Sequence, residues 1–166
     1  MLAKSDNKII VVALAGAPNT GKSTVFNLLT GLSQHVGNWP GKTIEQKTGS
    51  LRRGNLTMNI VDLPGTYSLT ANSSEEQIAR DYLVKENPDL VVAVLNAAGL
   101  ERNLYLVAEL IESSPRLVIA LNMMDVAQQQ GMKIDAEALA KELNIPVIPI
   151  IASKNQGLDA LLAAIE

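Results

Sequence analysis

Apolar and polar residues fall in blocks along the chain, and the blocks alternate between two periodicities. Ile9-Ile-Val-Val-Ala-Leu-Ala15 is an unbroken apolar run ending at Gly16, as expected of a strand buried on both faces of a parallel sheet. Ser23–Thr30 reads as a helix closed by Gly31. Residues 32–43 hold Gly37, Pro40 and Gly41 without periodicity and are predicted to be a loop. Two extended stretches follow, Ile44–Leu51 and Leu56–Val61, with Arg52-Arg-Gly-Asn55 as the turn of a hairpin. Further on, the pattern predicts helices at Ser74–Lys85, Glu101–Glu112 and Asp135–Leu143, and a last one from Gly157 onward. Strands are predicted at Leu90–Leu95, Leu117–Leu121 and Val147–Ile150. Strands alternating with helices indicate an α/β domain with a mostly parallel six-stranded sheet, one antiparallel edge strand and helices on both faces.

Two details sharpen this pattern. Ser73-Ser-Glu-Glu-Gln77 could pass for a catalytic acid pair, but it reads better as a helix start, with a serine cap and acids in the first turn. Leu104, Val107, Ala108 and Ile111 have helical spacing and are expected to face the core.

Composition narrows the function. The chain has 166 residues, 47% of them hydrophobic and 19% charged, enough for one domain with a real core. Aromatics are 3%, so that core is aliphatic. With no cysteine, disulfides, thiol catalysis and Cys-ligated metals are excluded. A net charge of −3 argues against a nucleic-acid partner, which usually meets a basic face. No apolar run reaches the roughly 18–20 residues that span a bilayer, so this chain is not expected to insert in a membrane itself. The charged segment Met1–Lys8 lacks the apolar stretch of a signal peptide.

Chemistry concentrates in four segments. Gly16-Ala-Pro-Asn-Thr-Gly-Lys-Ser23 fits G-x-x-x-x-G-K-[ST], and it lies between a predicted strand and a predicted helix, the context the motif needs. Its glycines let backbone N–H groups and the helix N-terminus face phosphate oxygens, so Gly16, Ala17, Asn19, Thr20, Gly21, Lys22, Ser23 and Thr24 are candidate nucleotide contacts. Lys22 supplies a charge near the β- and γ-phosphates, and the Ser23 hydroxyl can ligate Mg²⁺. Asp62-Leu-Pro-Gly65 follows at the end of the next parallel strand, where open α/β sheets bind ligands. Asp62 can hold a Mg²⁺-bound water, and Gly65 can turn its N–H toward a γ-phosphate. Asn122-Met-Met-Asp125 ends another strand, and the Asp125 carboxylate can accept from the N1–H and amine of guanine. Adenine lacks that donor pair, so an acid here selects GTP over ATP. After the last strand, Ala152-Ser153-Lys154 is placed to offer a backbone N–H to the guanine oxygen.

Taken in order with the segment that ends at Thr43, these four resemble the five G motifs of Ras-like P-loop GTPases across nearly the whole chain. Two further segments, Val36-Gly-Asn-Trp-Pro-Gly41 and Leu100-Glu-Arg-Asn-Leu-Tyr-Leu106, are not general GTPase features. With them, the chain resembles the N-terminal G domain of the ferrous iron transporter B (FeoB) family. The resemblance implies that Thr43 is the switch I threonine that ligates Mg²⁺, and that Asn19 coordinates an activating K⁺. It implies catalytic roles for Asn19, Lys22, Thr43 and Gly65, with GTP and GDP as ligands and slow intrinsic hydrolysis. It also implies a single G domain over residues 1–166, followed in the family by helical and transmembrane regions. The setting is the cytoplasmic face of a bacterial inner membrane, with the parent's transmembrane region and small cytosolic regulatory proteins as partners. Met123 stands where general GTPases have lysine, and the fifth segment reads Ala152-Ser153 with the usual order swapped. Other readings are a nucleotide-dependent interaction module with negligible turnover and a stand-alone Era-like GTPase. His35, alone and without cysteine neighbours, is expected to be a solvated loop residue rather than an iron ligand. Trp39 is expected to be a partly exposed, mobile indole in switch I.

Overall fold

The computed structural model describes residues 7–113 and 116–166. The expectation about the charged segment at the start of the chain falls mostly on residues 1–6, outside the described residues. Strands are β1 (Lys8–Ala15), β2 (Gln34–Asn38), β3 (Glu45–Arg53), β4 (Leu56–Asp62), β5 (Leu90–Asn96), β6 (Leu117–Asn122) and β7 (Val147–Pro149). Helices are α1 (Lys22–Thr30), α2 (Ser74–Lys85), α3 (Leu100–Ser113), α4 (Met124–Gln129), α5 (Ala136–Leu143) and α6 (Leu158–Ile165). The sheet order is β2-β3-β4-β1-β5-β6-β7. β4, β1, β5, β6 and β7 run parallel, while β3 is antiparallel to both β4 and β2.

The sheet thus has seven strands, one more than expected. The addition is β2, formed inside the segment that the sequence pattern marks as loop. Its residues Gln34 to Asn38 pair with Gly49 to Glu45 of β3 and make the outer edge of the sheet. Within Gln34-His-Val-Gly-Asn38 no apolar alternation exists to betray a strand, because β2 buries almost nothing. It is held by backbone pairing rather than by a core face.

The continuous apolar run of β1 is explained by burial on both sides. Ile10, Val12 and Leu14 pack with Val25, Phe26 and Leu29 of α1 and with Leu161 and Ile165 of α6. Ala13 and Ala15 join the opposite cluster, with Leu83 of α2 and Leu106, Val107 and Leu110 of α3. Burying a side chain of this size is worth about 1.5–3 kcal/mol. The two faces therefore anchor the strands whose C-terminal ends carry the candidate site.

Helix boundaries follow their caps. Ser73 accepts a hydrogen bond from the Glu76 N–H at 3.1 Å, and α2 starts at Ser74 as the serine–acid pattern predicts. The core face of α3 differs from expectation. Asn103, Leu106, Val107 and Leu110 are buried, whereas Ala108 is exposed and Ile111 is 46% exposed. The helix is turned by about one position from the stripe read in the sequence, and a polar residue, Asn103, sits on the inward face. Its amide is satisfied there: Nδ2 donates to the Gly99 carbonyl at 2.8 Å, and Oδ1 accepts from the Asn96 N–H at 3.3 Å.

Trp39 also departs from expectation. It is 6% exposed and packs edge-on against Tyr82 of α2, with ring centroids 5.6 Å apart. Burial pushes the Tyr82 hydroxyl above its ordinary range, with the Glu86 carboxylate adding to the effect, so the ring that Trp39 meets stays neutral. The Trp39 Nε1 is buried with no hydrogen-bond partner among the described residues. Pro40 and Gly41 around it are exposed, which is why the local composition reads as loop while the indole is inside.

Candidate nucleotide site

The turn from β1 into α1 makes the floor of the site. Asn19 and Gly21 both have left-handed backbones, φ 64° and 84°. Such residues two apart shape a loop whose successive N–H groups can converge on an anion. The Thr20 hydroxyl donates back to the Ala17 carbonyl at 3.0 Å and is buried. Glycine is required at 21 on two counts: its φ is positive, and a Cβ there would lie 2.2 Å from Asn122 Nδ2. Ala17, Pro18, Asn19, Gly21, Lys22 and Ser23 line a cleft of about 450 Å³, and Gly65 closes its far wall.

Lys22, the first residue of α1, is 8% exposed. Its ammonium donates to the Asp62 carboxylate and, at 2.6 Å, to the Leu63 carbonyl. The start of α1 and the end of β4 are thereby joined through one charge pair. Beyond it, the Thr66 N–H donates to the Gly16 carbonyl at 3.0 Å, fixing the chain after Gly65 against the P-loop. A Cβ on Gly65 would stand 3.3 Å from the Pro18 nitrogen, a tight contact that Pro18 would have to yield to by a few tenths of an ångström.

The segments at Asn122–Asp125 and Ala152–Lys154 meet the P-loop through Asn122. This residue is 3% exposed; its Nδ2 donates to the Thr20 carbonyl at 2.9 Å, and its Oδ1 accepts from the Ala152 N–H at 3.0 Å. One side chain thus ties its own segment to the P-loop and to the turn at Ala152, whose bonded residues lie 102 and 30 positions from it. Met123 has φ 63°, and its methyl lies 3.7 Å from where a Gly21 Cβ would be, so it covers the P-loop at that point. Asp125, in the first turn of α4, is 3.4 Å from the Lys154 ammonium. Ala152-Ser153-Lys154 forms a single 3₁₀ turn. The swapped order of Ala152 and Ser153 has a local consequence: the buried position, 3% exposed, holds alanine, and the serine faces outward.

Thr43 stands apart. It is exposed in the turn between β2 and β3 and does not line the P-loop cleft. Thr24 is on the first turn of α1, exposed beside Ser23. His35 is exposed on β2 opposite Thr48. Among the described residues no group of three His, Cys, Asp or Glu side chains could hold a metal. The hydroxyl of Ser23 and the carboxylate of Asp62 are hard oxygen donors of the kind Mg²⁺ takes, and few in number, as suits an ion that shares its shell with water and phosphate. The residues present fit that ion.

The motifs did not reveal the stapling role of Asn122 in this site, nor, outside the cleft, the contacts of Asn103 and the position of Glu109. Glu109 Oε2 accepts from the Leu69 N–H at 2.6 Å, and Oε1 accepts from the Ser68 hydroxyl at 3.1 Å. A polar residue on the apolar face of a helix was the available signal for Asn103; Glu109 carried none.

The family described as Ferrous iron transport protein B matches residues 10–165. The chain belongs to the FeoB family. It is 45% identical over 163 residues to the Fe(2+) transporter FeoB of Salmonella typhimurium, covering 96% of this chain and 21% of that protein. The G domain of the T. maritima FeoB iron transporter superposes with a TM-score of 0.89 at 43% identity, over 95% of this chain and 96% of that one. The cytosolic domain of T. maritima FeoB in a GDP form gives 0.88 at 45% identity, over 95% and 62%. The fold is that of a Ras-like FeoB G domain, with a seven-stranded sheet. The chain spans about a fifth of the length of the curated relatives it matches. Among the described residues, no helix is long and apolar enough to cross a membrane.

Proposed function

We propose that this chain binds GTP with Mg²⁺, hydrolyses it slowly, and acts as the nucleotide-dependent switch of a larger Fe²⁺ transporter. The observation that carries the reading is the junction at Asn122, which bonds the Gly16–Ser23 turn and the turn at Ala152 to the strand end that leads to Asp125, the acid this reading assigns to guanine. In this reading the Lys22 ammonium leaves Asp62 for the β- and γ-phosphates. Ser23 and Asp62 hold Mg²⁺, Asp62 through water; Gly65 offers its N–H to the γ-phosphate; Thr43 reaches the ion when switch I moves. Bound Mg²⁺ and, at Asn19, K⁺ would supply positive charge where negative charge shifts in phosphoryl transfer. The GDP-bound T. maritima relative supports guanine nucleotide as the ligand.

Among the described residues that line the cleft with Gly65, none carries a carboxylate or an imidazole to serve as a general base. The next residue, Thr66, is 5% exposed with its N–H on Gly16, so the attacking water would be held by switch backbone and hydrolysis would be slow. The same fact favours a second reading, an interaction module that scarcely turns over. Single-turnover phosphate release in KCl and NaCl, with ATP as the control, separates them. Release that is faster in K⁺, and that loses this preference in Asn19→Ala, is the expected result. Equal rates in both salts would end the potassium assignment, and no release would leave the module.

Trp39 supplies a second check. Its buried indole should resist acrylamide quenching in the free chain. A GTP analogue with Mg²⁺ is expected to raise quenching as switch I leaves the Tyr82 face; unchanged quenching would rule out that movement.

Within the parent protein, the reading places the domain at the cytoplasmic face of the bacterial inner membrane. Its partners would be the parent's transmembrane region and small cytosolic regulatory proteins.

A further inference from the structure

Switch II, the segment after Gly65, is tied down residue by residue. The Thr66 N–H is on the Gly16 carbonyl. The Arg102 guanidinium of α3 lies 3.8 Å over the Tyr67 ring. Glu109, two turns further along the same helix, takes the Ser68 hydroxyl and the Leu69 N–H on its two carboxylate oxygens. Leu69 itself is 8% exposed, seated in the core beside α2 and α3. Glu76 then accepts from the Asn72 N–H at 2.9 Å.

Among these ties the Glu109 pair differs in kind. The Arg102–Tyr67 stack is a surface contact, and the Glu76 bonds are local to the start of α2. Glu109 reaches 40 residues along the chain and bonds a backbone N–H through a charged oxygen, the stronger class of hydrogen bond. It fixes the loop four residues beyond Gly65, while Thr66 fixes it one residue beyond. The segment that follows Gly65, itself a residue of the cleft wall, is thus held at two points, at Thr66 and at Ser68–Leu69.

We propose that Glu109 is a positioning residue: from α3 it holds switch II against the P-loop, so that Gly65 stands ready for a γ-phosphate. This rests on the proposed function above. A ligand that touches Gly65 gains from that readiness, and one that ends at the β-phosphate does not. Glu109 therefore tunes the preference for GTP over GDP without contacting either.

The test compares the full chain with Glu109→Ala, Glu109→Gln and Ser68→Ala in Mg²⁺, titrating each with GDP and with GTPγS after checking folding by circular dichroism. GDP affinity is expected to stay within about twofold in all variants, while Glu109→Ala weakens GTPγS by at least about fivefold, a usual size for site-to-site coupling. Glu109→Gln, whose amide oxygen still accepts from Leu69, should recover part of that loss, and Ser68→Ala should lose less than Glu109→Ala. If Glu109→Ala does not fold, the other two variants carry the comparison against the same GDP control. Equal losses for both nucleotides, no loss, or tighter GTPγS binding would each overturn the proposal. An unsubstituted chain that binds neither nucleotide would instead remove the functional reading and the proposal with it.

Discussion

Replacing Asn122 by alanine is expected to loosen the site and the fold together. The substitution removes two hydrogen bonds inside a 3%-exposed pocket and leaves the Thr20 carbonyl and the Ala152 N–H without that partner. Each orphaned group costs about 1–3 kcal/mol, so a total near 3 kcal/mol is expected. For a chain of this size that lowers the melting temperature by about 6–12 °C. Guanine nucleotide affinity should fall by at least about tenfold besides, since the phosphate loop and the base-reading turn lose their common tie. Thermal unfolding by circular dichroism and titration calorimetry read the two effects separately. A melting temperature within a degree or two of the parent would show that Asn122 does not hold these segments, whatever happens to affinity.

Lys22→Ala is expected to remove nucleotide binding almost entirely. An ammonium about 4 Å from a phosphate charge, at the effective dielectric of a partly buried site, is worth about 4 kcal/mol, or roughly a thousandfold in affinity. Arginine should not rescue it, because its planar fork cannot take the place of a compact point charge at the start of α1. The free protein should suffer too. Asp62, with an 11%-exposed side chain, loses its cation, and breaking such a pair from one side costs about 3 kcal/mol. Adding Asp62→Asn to the same chain removes the stranded charge and is expected to recover most of that stability without restoring binding. Thermal melts of the single and double variants decide this; a double variant no more stable than Lys22→Ala would mean that the pair contributes little.

What the sequence disclosed tracks where the physics is local. The boundary of α2 was legible because its cap, Ser73, and the acids behind it act within one turn. Strand β1 was legible because burial on both faces leaves an unbroken apolar run. Lys22 and Ser23 could be placed from spacing, since a phosphate loop needs those residue types in that order, and Asp62 and Gly65 from their place at a strand end. Long-range pairing was not legible. β2 exists through its hydrogen bonds to β3, and nothing in Gln34–Asn38 announces them. Trp39 lies among glycine and proline, and its burial depends on Tyr82, 43 residues later and on another element. Helix α4 has six residues and starts from the left-handed Met123 without a side-chain cap, so it lacks both periodicity and a start signal. Asn122 was expected at the site from its motif. That it is also the common bond of three segments is a fact of tertiary geometry.

The edge strand has a consequence for colloidal behaviour. A switch I that peels away from the sheet strips β2 from its neighbour and turns β3 into the new boundary, with a row of unmet backbone donors and acceptors. Such an edge invites strand-to-strand association between molecules. The composition of β3, Glu45-Gln-Lys-Thr-Gly-Ser-Leu-Arg-Arg53, suits that exposure: two basic residues close one end, Glu45 and Lys47 form an ion pair at the other, and a glycine interrupts the middle. A strand built to be sticky would be a hazard each time that edge was uncovered. This one is charged enough to stand uncovered in solution.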